Sequence, residues 1–200
     1  MREIYKSGVT PQQKIVAVNN KFGNTSIKDQ QGTTRIIYDS LEVTSATQTT
    51  FKFFEDSASR NFPFTNTGSD GNKLGVGDTM VISQVSFSVF LKNTSGIYYN
   101  NNDLVSFQTG LGLSLFNITL ANNQVVKKLS LTESLAAYSK DTLTNATTID
   151  LETEIVIPPL LNFDVELILP AGLTAPANNT LYVRCALIGV GGIIAPRTTF

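Results

Sequence analysis

The residues best placed to do chemistry are two runs of carboxylates. In "TIDLETEIVI" Asp150, Glu152 and Glu154 alternate with Leu151, Thr153 and Ile155, and in "NFDVELIL" Asp164 and Glu166 alternate with Phe163, Val165 and Leu167. Period-2 spacing puts each acidic set on one face of a strand. Two carboxylates across a cleft suffice for glycoside hydrolysis, and hard oxygen ligands suffice for Ca²⁺, here at a subunit interface. Any solvated strand face shows the same pattern, and no Asp-x-Asp-x-Asp-Gly loop accompanies it. Little else in the chain is reactive. With no histidine, the commonest general base and metal ligand is missing, and with it the Ser-His-Asp and Cys-His systems. Cys185 is the single cysteine, in phase with Leu181, Val183 and Leu187, and reads as a small core residue. The glycines of "LGVGD" (74–78), "GLG" (110–112) and "GVGG" (189–192) form no complete phosphate-loop fingerprint. The expectation is a protein that is not an enzyme and carries no resident cofactor.

The elements that would position these residues are strands. Alternation reads as strands near 36–43, 50–54, 79–91, 104–107, 111–120, 124–131, 149–157, 163–169 and 180–188. In "VISQVSFSVFL" Val81, Val85, Phe87, Val89 and Leu91 form one face, with Gln84, Ser86 and Ser88 on the other. The phase slips between Leu115 and Phe116, the sign of a bulge or a change of environment. "ANN" at 121–123 closes a hairpin, and Pro158–Pro159 separates two strands. The one helix signal is short: Ser130 and Glu133 at capping-box spacing, with Leu131, Leu135 and Tyr138 as its apolar positions. Eight to nine strands with long loops in 200 residues predict an all-β fold, a single jelly-roll antiparallel β-sandwich over 36–200. Residues 1–35 form an N-terminal arm.

Composition points to contact with neighbours. Charged residues are only 16% of the chain, against about 25% in an average domain. Their place is taken by 24 Thr, 17 Asn and 16 Ser. A surface so poor in charge is weakly protected against association. Residues 50–66 hold five of the twelve phenylalanines. Phe51, Phe54, Phe62 and Phe64 are expected at a subunit interface, with Arg60 and Lys52 at its polar rim. The alternative is a satellite cluster buried under the loop. The net charge of −1 is uneven: residues 1–35 carry six basic side chains against two acidic ones. Arg2, Lys6 and Lys14 are therefore candidate arm contacts to neighbouring subunits or, non-specifically, to nucleic acid. Neither a secretory leader nor a membrane span is read in the sequence.

"FKFFEDSASRNFPFTN", then "KLGVGDTMVI", then "IPPLLNFDVELILPAG" resemble, in that order, jelly-roll capsid proteins of small tailless bacteriophages. Such proteins place an aromatic block before a Leu-x-x-Gly-Asp/Glu loop and a long strand, then an Ile-Pro-Pro…Phe-x-Val-x-Leu segment. The likeness covers roughly residues 36–190. It implies a virion structural subunit that assembles with copies of itself and other virion proteins into an icosahedral shell. The chain is long enough for one barrel, so a vertex protein or trimeric fibre or spike head binding a host receptor or glycan is the alternative. There Tyr98 and Tyr99, flanked by Asn100–Asn102, would stack on sugar.

Overall fold

In a computed structural model the described residues are 10, 13–14, 17, 30–67, 71–75, 78–99, 113–131, 138–141 and 146–194. They form ten strands: β1 (Gln30–Glu42), β2 (Thr50–Phe53), β3 (Thr79–Asn93), β4 (Tyr98–Tyr99), β5 (Leu115–Leu120), β6 (Asn123–Ser130), β7 (Tyr138–Asp141), β8 (Ala146–Ile157), β9 (Phe163–Ile168) and β10 (Asn179–Ile194). One sheet runs β1-β10-β3-β8-β7 with β4 hung on β3; the other runs β2-β9-β5-β6. All these pairings are antiparallel. Set aside the short β4 and β7, and number the remaining eight strands in chain order. The sheets then read 1-8-3-6 and 2-7-4-5, the interleaved double Greek key of a jelly roll. The expected fold class is the one observed.

The core lies between the sheets and is built by alternation. Phe51 and Phe53 of β2, Phe87 of β3, Phe116 of β5 and Phe163 and Val165 of β9 all point inward and are fully buried. Burying each such side chain contributes roughly 1.5–3 kcal/mol. Cys185 sits among them, and burial pushes its thiol well above the ordinary range, so it is an inert core residue.

Several boundaries differ from the sequence reading. β1 begins at Gln30, so the first strand of the barrel takes in residues assigned above to the arm. A strand at 104–107 lies outside the described residues. Ser130 closes β6 and Tyr138 opens β7, so both ends of the expected helix are strand; 132–137 lie outside the described residues. The hairpin at 121–123 forms, with Ala121 at φ 52°. The slip expected between Leu115 and Phe116 is not a bulge of β5: the strand pairs with β9 in unbroken register from Leu115 to Leu120, and the register shifts opposite Phe116–Thr119 come from extra residues in β6.

The face assigned to β3 needs correction at Val81. A bulge at Ser83 shifts the register against both β8 and β10, so Met80 and Ile82 point into the core before it, and Val85, Phe87, Val89 and Leu91 after it. Val81 is buried outside that core cluster. Opposite the bulge stands Gly189, where a Cβ would lie 1.9 Å from the Val81 carbonyl oxygen. The strands approach too closely there for any side chain.

No helix among the described residues is long and apolar enough to cross a membrane.

Candidate functional site

Two residues organise the segment between β2 and β3. The first is Asp39, whose side chain is fully buried. Its carboxylate accepts four hydrogen bonds: from the backbone N–H of Ser40 (3.0 Å) and Phe54 (2.7 Å), and from Arg60 Nε (3.0 Å) and Nη2 (2.6 Å). The Arg60 contact is a bidentate ion pair, the strongest geometry for these groups. It ties the loop after β2 to β1 across 21 residues of sequence. Phe54, held by the same carboxylate, adopts φ 72°, a left-handed conformation rare for a bulky residue.

The second is Arg184. Flanked in β10 by the inward Val183 and Cys185, it projects from the outer face of the six-stranded sheet. Its Nε donates to Ser40 Oγ (2.9 Å) and its Nη2 to the Pro63 carbonyl (2.8 Å). The guanidinium lies over the rings of Tyr38 (4.4 Å) and Phe90 (4.9 Å). Around it an aromatic carpet forms. Phe90 stacks on Tyr182 at 5.1 Å, Phe64 packs on Tyr182 at 5.0 Å, and Tyr98 meets Phe64 and Phe90 at 6.0 Å each. Burial lowers the Arg184 pKa, against the opposing pull of Tyr38. Burial, with Glu42 next to it, pushes the Tyr182 phenol up to about 12. Beside the carpet is a cavity of about 400 Å³ whose lining includes Glu42, Thr44, Gln48, Arg60, Phe64 and Tyr182.

Between the anchored Arg60 and Phe64 stands Phe62, 83% exposed. Its neighbours on both sides are fixed, one by Asp39 and the other by the aromatic carpet. The result is a large apolar side chain presented to solvent on a pinned loop.

The expected interface residues therefore divide. Phe62 is exposed and Phe64 half-buried at the edge of the carpet. Phe51 and Phe54 are not available to a neighbour: they are 1% and 0% exposed, because β2 alternation turns Phe51 inward and the positive φ turns Phe54 inward too, against Phe163 at 5.2 Å. Arg60 is not a free rim anchor, since Asp39 holds it. Lys52 is exposed on the four-stranded sheet. Tyr98 is 39% exposed and belongs to the carpet rather than to a free loop tip. Tyr99 pairs with Leu91 in the β3–β4 ladder, and 100–103 lie outside the described residues.

Of the arm residues, Arg2 and Lys6 lie outside the described residues. Lys14 Nζ is 2.7 Å from Glu154 Oε2 on β8, so its ammonium is engaged within the chain. Thr10 and Gln13 cap each other reciprocally, Thr10 N–H to Gln13 Oε1 (2.9 Å) and Gln13 N–H to Thr10 Oγ1 (3.3 Å), ahead of helical Lys14 and Ala17. That capping box is written in "TPQQ", a local signal outside the expectation of a basic arm.

The two carboxylate runs never face one another. Asp150, Glu152 and Glu154 point away from the core on β8, in the six-stranded sheet; Asp164 and Glu166 point away from it on β9, in the four-stranded sheet. The sandwich separates them. Asp150 accepts from Gln84 Nε2 (2.6 Å) and Glu166 from Asn117 Nδ2 (2.7 Å). Among the described residues no group of three or more His, Cys, Asp or Glu is arranged to hold a metal ion.

No family model and no curated protein matches this chain. Among solved structures, a chain of the acidic stable capsid structure of Helicobacter pylori bacteriophage KHP30 aligns over 82% of this chain and 98% of its own, at 10% identity and a TM-score of 0.30. At that score the fold assignment stands on the strand order alone.

Proposed function

We propose that this chain is a structural subunit of a virion capsid, localised in the particle, that assembles with copies of itself and other virion proteins through the Phe62 face. The observation that carries the reading is Phe62: an almost fully exposed phenylalanine held between two anchored residues, beside an aromatic carpet. A flexible loop would lose ordering entropy on docking; this loop is already ordered in the single chain. Large, rigid aromatics at the centre of a contact are the usual interface hot spots. The jelly-roll strand order, the low charge and the order of sequence blocks support the same reading. Lys14 is not carried forward as a contact to genome or neighbour, because Glu154 holds it.

The experiment is light-scattering mass after size exclusion, with negative-stain images of the same peak, on wild type and Phe62→Ser. Shells, pentamers or hexamers whose assembly needs about tenfold higher protein concentration in Phe62→Ser support the proposal. Discrete trimers would move the same face to a fibre head or vertex protein. A monomer of 21.7 kDa, or assembly indifferent to the substitution, overturns it.

A further inference from the structure

We propose that Arg184 is the positioning residue of the subunit contact: it acts on a neighbouring copy only through Phe62, by fixing the direction in which that ring points. The inference rests on the assembly reading above and names what controls it. Phe62 and Pro63 stand at the centre of a turn, closed by the Phe64 N–H donating to the Asn61 carbonyl at 2.9 Å. The base of this turn is tied down on both sides. Before it, Arg60 is held by Asp39. After it, the Tyr38 carbonyl accepts from Thr65 Oγ1 (2.9 Å) and from the Asn66 N–H (3.3 Å). The apex has fewer ties. Pro63 has no N–H, so its carbonyl is its one backbone group for hydrogen bonding, and that carbonyl accepts from Arg184 Nη2 at 2.8 Å.

The geometry of this tie is specific. A planar guanidinium holds its donors at fixed angles, and Arg184 uses two of them in different directions, Nε on Ser40 Oγ (2.9 Å) and Nη2 on Pro63. The rings of Tyr38 (4.4 Å) and Phe90 (4.9 Å) hold the group in place. Ser40 in turn gives its N–H to Asp39 Oδ1 at 3.0 Å, the oxygen that also accepts from Arg60 Nε. Both arginines that hold the loop therefore converge on the dipeptide Asp39–Ser40 of β1, and the turn between them inherits the rigidity of a strand. Their roles differ. Asp39 and Arg60 form an ion pair that closes the loop onto the barrel. Among the described residues Arg184 forms no ion pair; what it holds is a neutral carbonyl at the apex. A loop that keeps its base and loses this tie stays attached while its apex swings. Each docking event must then order Phe62 afresh, which raises the concentration needed for assembly by about two- to tenfold.

The chain has no tryptophan, so Phe62→Trp places a lone indole at the apex. Its fluorescence anisotropy is read in dilute, unassembled protein with and without Arg184→Lys, which keeps the charge and loses the fork. Anisotropy should fall in Arg184→Lys while the circular dichroism of the sheets is unchanged; an equal anisotropy overturns the positioning role. Assembly is then compared by light scattering for wild type, Phe62→Ser, Arg184→Lys and the double variant. Arg184→Lys should need about two- to tenfold more protein to assemble, and should add nothing in the Phe62→Ser background. Equal effects in both backgrounds would mean that Arg184 meets the neighbour itself. Assembly disrupted by Phe62→Ser but indifferent to Arg184→Lys would leave the Phe62 contact standing without this control. Either result overturns the inference. A chain that never assembles, or assembles regardless of Phe62→Ser, removes the assembly reading and the inference with it. If Arg184→Lys does not fold, Ser40→Ala takes its place: it removes only the oxygen that accepts Nε, and the same fall in anisotropy and the same silence in the Phe62→Ser background are required.

Discussion

On the outer face of the four-stranded sheet, neighbouring strands trade polar bonds: Asn117 donates to Glu166, Thr119 bonds Asp164, and Lys52 stands opposite Glu166. On the outer face of the six-stranded sheet, Tyr38, Phe90, Tyr98 and Tyr182 surround Arg184, with Phe64 laid across them. Both faces belong to antiparallel sheets with one side in the core, and alternation alone would make both solvated. The difference marks the six-stranded face as the one suited to being covered. Part of the cover is the chain's own loop, and Phe62 extends past it.

The contrast can be broken most severely at Asp39. Asp39→Asn removes the charge that holds Arg60, and should cost about 3–5 kcal/mol in urea unfolding, the expectation for breaking a buried pair. If stability is unchanged, the loop is not held by this carboxylate. A comparable loss, about 3–5 kcal/mol, is expected for Phe51→Ala, whereas Phe62→Ser should stay within about 0.5 kcal/mol and act on association alone. Equal costs for the two would erase the division between inward and outward phenylalanines. Tyr182 gives a pH signature confined to the aromatic face. Its phenol is pushed up to about 12 from an ordinary value of 10. The stability it contributes is fully present below pH 10 and is lost as pH rises from there through about 12, since the unfolded chain ionises first. Tyr182→Phe should flatten that alkaline limb, read by tyrosinate absorbance alongside unfolding. The smallest effect belongs to the polar face. Burial raises the Asp164 pKa above 3.8, so its favourable contribution is present in acid and lost as pH rises through the raised value. Asp164→Asn should therefore be neutral or gain up to about 0.5 kcal/mol at pH 7, with the difference vanishing in acid; a clear loss at neutral pH would contradict this.

Alternation carried most of the architecture, because a half-buried strand writes its inward face into every second residue. It failed where the backbone departs from regular pleating. Ser83 adds one residue to β3 and flips the phase on one side of it, and its only trace in sequence is a glycine about a hundred positions later. Phe54 breaks the alternation of β2 through its dihedral angle, which no neighbouring residue announces. The aromatic face was hidden for another reason. Tyr38, Phe64, Phe90, Tyr98 and Tyr182 come from four strands and a loop, and only the pairing of β1, β10, β3 and β4 brings them together. Asp39 reads as an ordinary polar residue in a strand until its partner, far along the chain, is known. The "TPQQ" cap, by contrast, was legible and local.

The outer edge of β1 has its own consequence. Asn66 binds the Tyr38 N–H and the Ile36 carbonyl, and Thr65 Oγ1 donates to the Tyr38 carbonyl, so this stretch of edge offers few open backbone groups to another strand. At the far side of the other sheet, the edge strand β6 carries exposed Lys127 and Lys128. Strands finished this way resist edge-to-edge pairing. On the proposed capsid reading, a subunit held at high local concentration would need that refusal: it would crowd without stitching its sheets into fibres and leave association to side chains that fit in one geometry.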